Sequence, residues 1–239
     1  MLEMTLAEIA SAVKGNLLQG DGQQVVREVS TDTRKITPGS LFVALRGERF
    51  DAHDFLEQAV EKGAGALLVS AARELKPASQ NSVQSSWQGL GAEIPVIQVE
   101  DTLNALQQLA CYNRQKSGIP VVAVTGSVGK TSTKDMIAAV LEQKFRVLKT
   151  SGNFNNEIGL PLTLLQLAAG HEVAVVEMGM RGLGEIAALA EIARPDIGVI
   201  TNIGETHIEL LGSVDNIARA KGELLDSLPS GGTAILNGD

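Results

Sequence analysis

Residues 121–132 run Val121-Val122-Ala123-Val124-Thr125-Gly126-Ser127-Val128-Gly129-Lys130-Thr131-Ser132. An unbroken apolar run, then a glycine-bearing turn, then a helical pattern is the order of a buried strand, a tight loop and a helix. At such a junction the backbone N–H groups of the turn and of the helix N-terminus point at anionic oxygens. Glycine permits the approach because it carries no Cβ. Lys130 would neutralise phosphoryl charge and Thr131 would offer its hydroxyl to magnesium. Gly126, Ser127, Val128, Gly129, Lys130, Thr131 and Ser132 are therefore the candidate ATP-binding residues. The strict pattern asks for glycine where this sequence has Val124, so the assignment rests on the strand and helix that flank the loop. The alternative is a chance Gly-Lys-Thr in a turn.

Downstream of the loop the pattern is regular. It predicts helices over 130–143, 160–167, 185–192 and 214–228, alternating with strands over 146–149, 173–176, 197–201 and 233–236. Upstream it predicts a helix over 102–116. Strands that alternate with helices of this length form right-handed crossovers and a parallel sheet, and in such sheets ligands gather at the carboxyl ends of the strands. Before residue 100 a smaller α/β module is expected. It has an amphipathic helix within 1–12, strands around Val25 to Val29 and Leu41 to Leu45 with a turn at Pro38-Gly39, and a helix capped by Asp54 and ended by Gly63 and Gly65. Strands over 66–69 and 96–99 follow, with an irregular excursion at 73–93 around Trp87. The expected fold class is thus α/β, with a small N-terminal domain over 1–100 and a mostly parallel, phosphate-loop central domain over 101–239. The chain stops at Asn237-Gly238-Asp239, directly after a predicted strand, which reads as a truncated central domain.

Composition narrows the class of function. Aromatic residues make up 3% of a chain with 25 glycines, the usage of close helix-on-sheet packing. A formal charge of −8 repels a phosphate backbone, which argues against nucleic acid as a partner. A single cysteine, Cys111, rules out an internal disulfide framework and fits a reducing, cytoplasmic setting. No run of apolar residues approaches membrane-spanning length, and the start has no basic flank of the signal-peptide kind.

Further candidates sit at the predicted strand ends. Glu177 closes the apolar run 173–176, where a nucleotide site keeps a metal-binding carboxylate; the bland alternative is a solvated acid. His207 follows the next strand, in a loop where histidine is as often plain polar surface. Lys221 shares a helix face with Val214, Ile217, Leu224 and Leu228. Either its stem lies along the core with the ammonium in water, or the amine is buried with a depressed pKa. Asn153, Asn155 and Asn156 lie in an amide-rich loop at the same rim, and either position anionic groups or only shape the turn. In the first domain Ser30, Thr31 and Arg34, and then Arg46, Phe50 and Asp51, supply hydroxyls, arginine forks and a ring suited to a nucleotide diphosphate. Such loops are otherwise ordinary surface.

Taken together, the segments Ser30 to Arg34, Pro38 to Asp51, the phosphate loop, Gly152 to Pro161, Val176-Glu177-Met178-Gly179 and Ala220-Lys221-Gly222-Glu223 resemble the Mur ligases of peptidoglycan synthesis. The likeness is greatest to the branch that adds D-alanyl-D-alanine to UDP-N-acetylmuramoyl-tripeptide. The resemblance implies a three-domain, ATP-dependent amide ligase: a UDP-binding first domain, an ATPase middle domain and a further carboxyl-terminal domain. It also implies an acyl-phosphate intermediate. Thr131 and Glu177 would hold one magnesium, and His207 and Lys221 a second. Lys130, His207 and Lys221 would be catalytic, with Lys221 carried as a carbamate. Ser30, Thr31, Arg34, Arg46, Phe50, Asp51, Asn153, Asn155 and Asn156 would bind substrate. The competing expectations are a sibling ligase, such as the one adding the third peptide residue or a folylpolyglutamate synthase, and a phosphate-loop kinase or nucleotide-binding switch without acyl chemistry.

Overall fold

The structure is a computed structural model, and it describes residues 1–47, 50–71, 93–206 and 208–238. It divides into two compact units, Met1–Leu109 and Ala110–Asp239.

The first unit contains strand β1 (Met4–Thr5), helix α1 (Leu6–Ala12), strands β2 (Asn16–Gln19), β3 (Val25–Val26), β4 (Val29–Ser30) and β5 (Leu41–Val43), helix α2 (Leu56–Glu61) and strands β6 (Ala66–Ser70) and β7 (Val96–Val99). Five strands form one sheet in the order β2-β7-β6-β5-β4. All its pairs are parallel except β2 with β7. β1 and β3 form a separate antiparallel pair. Phe42, Leu56, Leu67, Val69 and Val96 pack together as its core.

Two expectations change here, and one strand, β2, has none. The alternation over 25–29 reads as one strand, but Val26 pairs with Met4 whereas Ser30 pairs with Phe42, because alternation fixes a face and not a partner. Strand β2 carries no period strong enough to stand out. Asp54 does not cap α2. The carboxylate of Asp51 accepts from the His53 N–H and closes a 3₁₀ turn, Ala52–Phe55, and the chain then enters α2 from Phe55 without a side-chain cap. The excursion around Trp87 lies outside the described residues.

Helix α3 (Thr102–Ser117) leads toward the second unit, which contains strand β8 (Val121–Thr125), helix α4 (Lys130–Leu141), strand β9 (Val147–Lys149), helix α5 (Gly159–Leu164), strand β10 (Val173–Glu177), helix α6 (Glu185–Ala193), strand β11 (Ile197–Ile200), helices α7 (Ile208–Leu211) and α8 (Val214–Asp226) and strand β12 (Thr233–Leu236). The sheet order is β12-β11-β8-β10-β9 and every pair is parallel. β8 and β10 are buried at every position, as strands covered by helices on both faces are, and each valine so buried stabilises the unit by roughly 1.5–3 kcal/mol. β8, first in sequence, lies in the middle, so the chain departs to opposite sides on the two flanks of its carboxyl end. That end is where an open parallel sheet leaves a crevice.

The helices run where the 3.6-residue period places them, with α4, α5 and α8 ending earlier and α3 and α6 one residue later. Helix α5 stops at Leu164 because Gln166 and Leu167 donate to Thr163 and Leu164 in tighter turns. The inner face of α8 is Ile217, Ala220, Lys221 and Leu224, while Val214 at its first turn is exposed. α7 has no counterpart in the sequence reading. Among the described residues no helix is long and apolar enough to cross a membrane.

Candidate functional site

The carboxyl end of β8 runs directly into the phosphate loop. Gly126 lies at φ +150°, and a Cβ there would overlap the Thr201 hydroxyl, so only glycine fits. Gly129 is left-handed at φ +84° and opens α4 with no side-chain cap. The first-turn amides of α4 are therefore directed into the loop's concavity, where helix polarity favours an anion. The loop is held from the β11 side. Thr201 donates its hydroxyl to the Val128 carbonyl at 2.6 Å, the side-chain oxygen of Asn202 accepts from the Val128 N–H at 2.9 Å, and the Ser127 hydroxyl both donates to Gly204 O and accepts from Gly204 N–H. Lys130 folds back so that Nζ donates to the carbonyls of Gly126 and Ser127. Val128 is exposed at the tip and Ser132 on the first turn of α4.

Across the crevice β10 ends at Glu177. Its carboxylate, only 2% exposed, accepts from the Thr131 hydroxyl on one oxygen and from the Asn155 amide on the other, both at 2.8 Å. Glu177 takes part in no ion pair among the described residues. A buried carboxylate without a cation is costly unless a positive group completes it. A carboxylate and a hydroxyl side by side are hard oxygen donors of the kind magnesium takes. The residues present thus fit a magnesium ion at Thr131 and Glu177. Among the described residues no group of three or more His, Cys, Asp or Glu side chains gathers to hold a metal.

Lys221 is 2% exposed, which decides between the two readings of its helix face: the amine is buried. Removal from water, and then the nearby Lys130 ammonium, push its pKa down to about 8. His207 lies outside the described residues. Of the amide-rich loop, Asn155 faces Glu177, whereas the Asn156 side-chain oxygen accepts from the Ile158 and Gly159 N–H groups at the start of α5. Asn153 lies exposed in the loop, and its carbonyl accepts from the Asn155 N–H.

The first unit has its own cleft of about 570 Å³, lined by Thr31, Asp32, Arg34, Phe50, Phe55 and Lys62 among others. Phe50 stacks on Phe55 with ring centroids 4.8 Å apart, leaving one face of an aromatic pair outward. Arg34 grips Asp32 with two parallel N–H···O bonds, which lower the Asp32 carboxyl to about 2. Ser30 is turned into its own turn, its hydroxyl donating to Asp32 O. Arg46 and Asp51 face each other across an isolated bridge with 4.0 Å between the charges. Asp51 also bonds the buried His53 ring at 2.6 Å, whose far nitrogen accepts from the Ser70 N–H. That acceptance places the ring proton on Nδ1.

Several contributors escaped the sequence reading: Thr150, Lys134, Thr201 and Asn202 around the phosphate loop, and Phe55, Gln58 and Lys62 in the cleft. Lys134 carried a signal, since it falls one helical turn after Lys130 and one before Ala138 on the inner face of α4.

The phosphate loop at the end of a parallel sheet and the likeness along the chain define one family: the chain belongs to the Mur ligases. The profile of the Mur ligase family catalytic domain matches residues 25–114, and that of the Mur ligase middle domain matches residues 124–239. The chain is 48% identical over 191 residues to the UDP-N-acetylmuramoyl-tripeptide--D-alanyl-D-alanine ligase of Bacillus subtilis (strain 168), covering 80% of this chain and 39% of that protein. It is 46% identical over 187 residues to the enzyme of the same name from Escherichia coli (strain K12), covering 78% of this chain and 37% of that one. The chain thus spans under half the length of these relatives. Among solved structures it is similar to MurF from Acinetobacter baumannii, with TM-score 0.85, 35% identity, and 99% of this chain against 49% of that chain. It is also similar to MurF ligase from Thermotoga maritima in complex with ADP, with TM-score 0.74, 34% identity, and 90% against 46%.

Proposed function

We propose that this chain carries the nucleotide and UDP-substrate sites of an ATP-dependent ligase that joins D-alanyl-D-alanine to UDP-N-acetylmuramoyl-tripeptide in the cytoplasm. The observation that carries the reading is the Thr131–Glu177–Asn155 cluster set against the phosphate loop, in a chain similar along four-fifths of its length to ligases of that name. In this reading residues 101–239 hold ATP and residues 1–100 the UDP moiety.

The loop Gly126 to Ser132 cradles the phosphates with the N–H groups at the start of α4, those of Ser127 and Val128 being held by Asn202, and Lys130 exchanges its two carbonyl partners for phosphoryl oxygens. The terminal carboxylate of the tripeptide attacks the γ-phosphorus and ADP leaves. The D-alanyl-D-alanine amine then attacks the acyl carbon, loses a proton, and phosphate leaves. Magnesium, when bound, offsets charge on the phosphoryl oxygens. Thr131 and Glu177 would hold one ion, and His207 with Lys221 a second. A buried lysine amine lowered to about 8 has a larger neutral fraction with which to take up carbon dioxide, and the resulting carbamate supplies the anionic oxygens that an ammonium cannot. Thr31, Arg34 and Phe50 line the cleft suited to the UDP moiety, and Ser30, Arg46 and Asp51, near them in the chain, join in binding substrate. Asn153 and Asn156 frame Asn155 toward the reacting groups.

The test is calorimetric titration with UDP-N-acetylmuramoyl-tripeptide, the corresponding dipeptide and UDP alone. Preferential tripeptide binding is expected. Preference for the dipeptide moves the assignment to the preceding ligase of the same family.

A further inference from the structure

Thr150 is 1% exposed, and all its polar groups are engaged across three elements. Its N–H donates to Val175 O on β10 at 3.1 Å. Its hydroxyl accepts from the Glu177 N–H at 3.0 Å. Its carbonyl accepts from Lys134 Nζ at 2.7 Å. Lys134 is itself only 2% exposed and stands one turn after Lys130 on α4, with its charge balanced by Asp135 at 3.2 Å.

Burying an ammonium on a helix that could present alanine there costs several kcal/mol before compensation, and nothing in the fold of α4 requires it. What the arrangement achieves is a fixed distance. α4 carries Thr131, β10 ends in Glu177, and the loop that leaves Thr150 carries Asn155. The Lys134–Thr150 bond joins the first of these elements to the third, and the Thr150 hydroxyl joins the third to the second. Thr131, Glu177 and Asn155 thus share one anchor beneath them.

We propose that Lys134 and Thr150 are positioning residues that hold Thr131, Glu177 and Asn155 in register for a magnesium-bound nucleotide, without touching nucleotide or metal themselves. This rests on the phosphate-site reading above. Partners that orient a group binding a metal change metal affinity by roughly 10- to 100-fold when removed. An anchor of the fold alone would weaken every form of the nucleotide alike.

The experiment measures ADP affinity by calorimetry twice, with excess magnesium and with a chelator, for the unmodified protein, Lys134→Met, Lys134→Arg and Thr150→Val. Both Lys134→Met and Thr150→Val are expected to lose roughly tenfold or more in the magnesium condition and little in the chelator condition, and Lys134→Arg is expected to recover most of the loss. Thr150→Val keeps the shape of the side chain and decides the matter if Lys134→Met fails to fold. Equal losses in the two conditions, or no loss, overturn the positioning role. Absence of ADP binding to the unmodified protein in either condition instead overturns the phosphate-site reading on which it stands.

Discussion

Around the phosphate loop, polar side chains bond between elements: Thr131 of α4 to Glu177 of β10, Thr201 after β11 to Val128. In the cleft of the first unit they bond within a turn: Ser30 to Asp32, Arg34 to Asp32, Asp51 to His53. The first arrangement leaves little to rearrange when an anion arrives, because the receiving groups are backbone amides already aimed inward. In the second, Arg34 would have to release Asp32 before its fork could meet a diphosphate. A site of fixed amides is therefore built into the fold, whereas a site of long side chains is assembled at binding and gives up affinity for adaptability.

Variants can break or sharpen that contrast. Lys130→Ala should lower ATP turnover by at least about a hundredfold, as removal of a group stabilising developing charge does, read as phosphate release. Unchanged turnover would remove Lys130 from the site. Gly126→Ala forces a side chain into Thr201 and should destabilise the unit by about 1–3 kcal/mol, measured by urea unfolding. Lys221→Ala should lose activity that acetate or formate partly restores, and a complete lack of rescue would count against the carbamate.

With Lys221 uncarbamylated, the buried amine also predicts a pH dependence. Because the folded pKa of Lys221 is about 8 against an ordinary 10.5, the unfolded chain binds more protons between those values. Stability attributable to this group therefore rises as pH climbs from about 8 to 10.5. Lys221→Leu should flatten that rise, on the order of 1–3 kcal/mol, and denaturation midpoints across the window would show it. The smallest effect is expected in the first unit. Arg34→Ala should leave the melting temperature unchanged while weakening UDP roughly tenfold, since its pair with Asp32 is solvent-exposed and adds little stability.

The same contrast explains what could be read from the amino acids. The apolar runs 121–124 and 173–176 are strands buried on both faces, and they announced the sheet, the loop and Glu177 together. β3 and β4 are two residues each, and their partners depend on contacts that no local period records. The burial of Lys221 was visible as an anomaly of its helix face, but its neighbour Lys130 is 91 positions away in the chain. Thr150 and Thr201 are ordinary threonines until the sheet order brings β9 and β11 to the two flanks of the β8–β10 pair.

The grip of Thr201, Asn202 and Gly204 on the phosphate loop has a kinetic consequence. A loop held at Ser127 and Val128 from outside has its entropy of ordering met before any nucleotide is present. Capture should then be a single bimolecular event, with an observed rate that climbs linearly with nucleotide concentration and shows no plateau from a slow opening step. Severing the grip by Asn202→Ala should introduce that plateau, which stopped-flow traces would reveal as saturation of the binding rate.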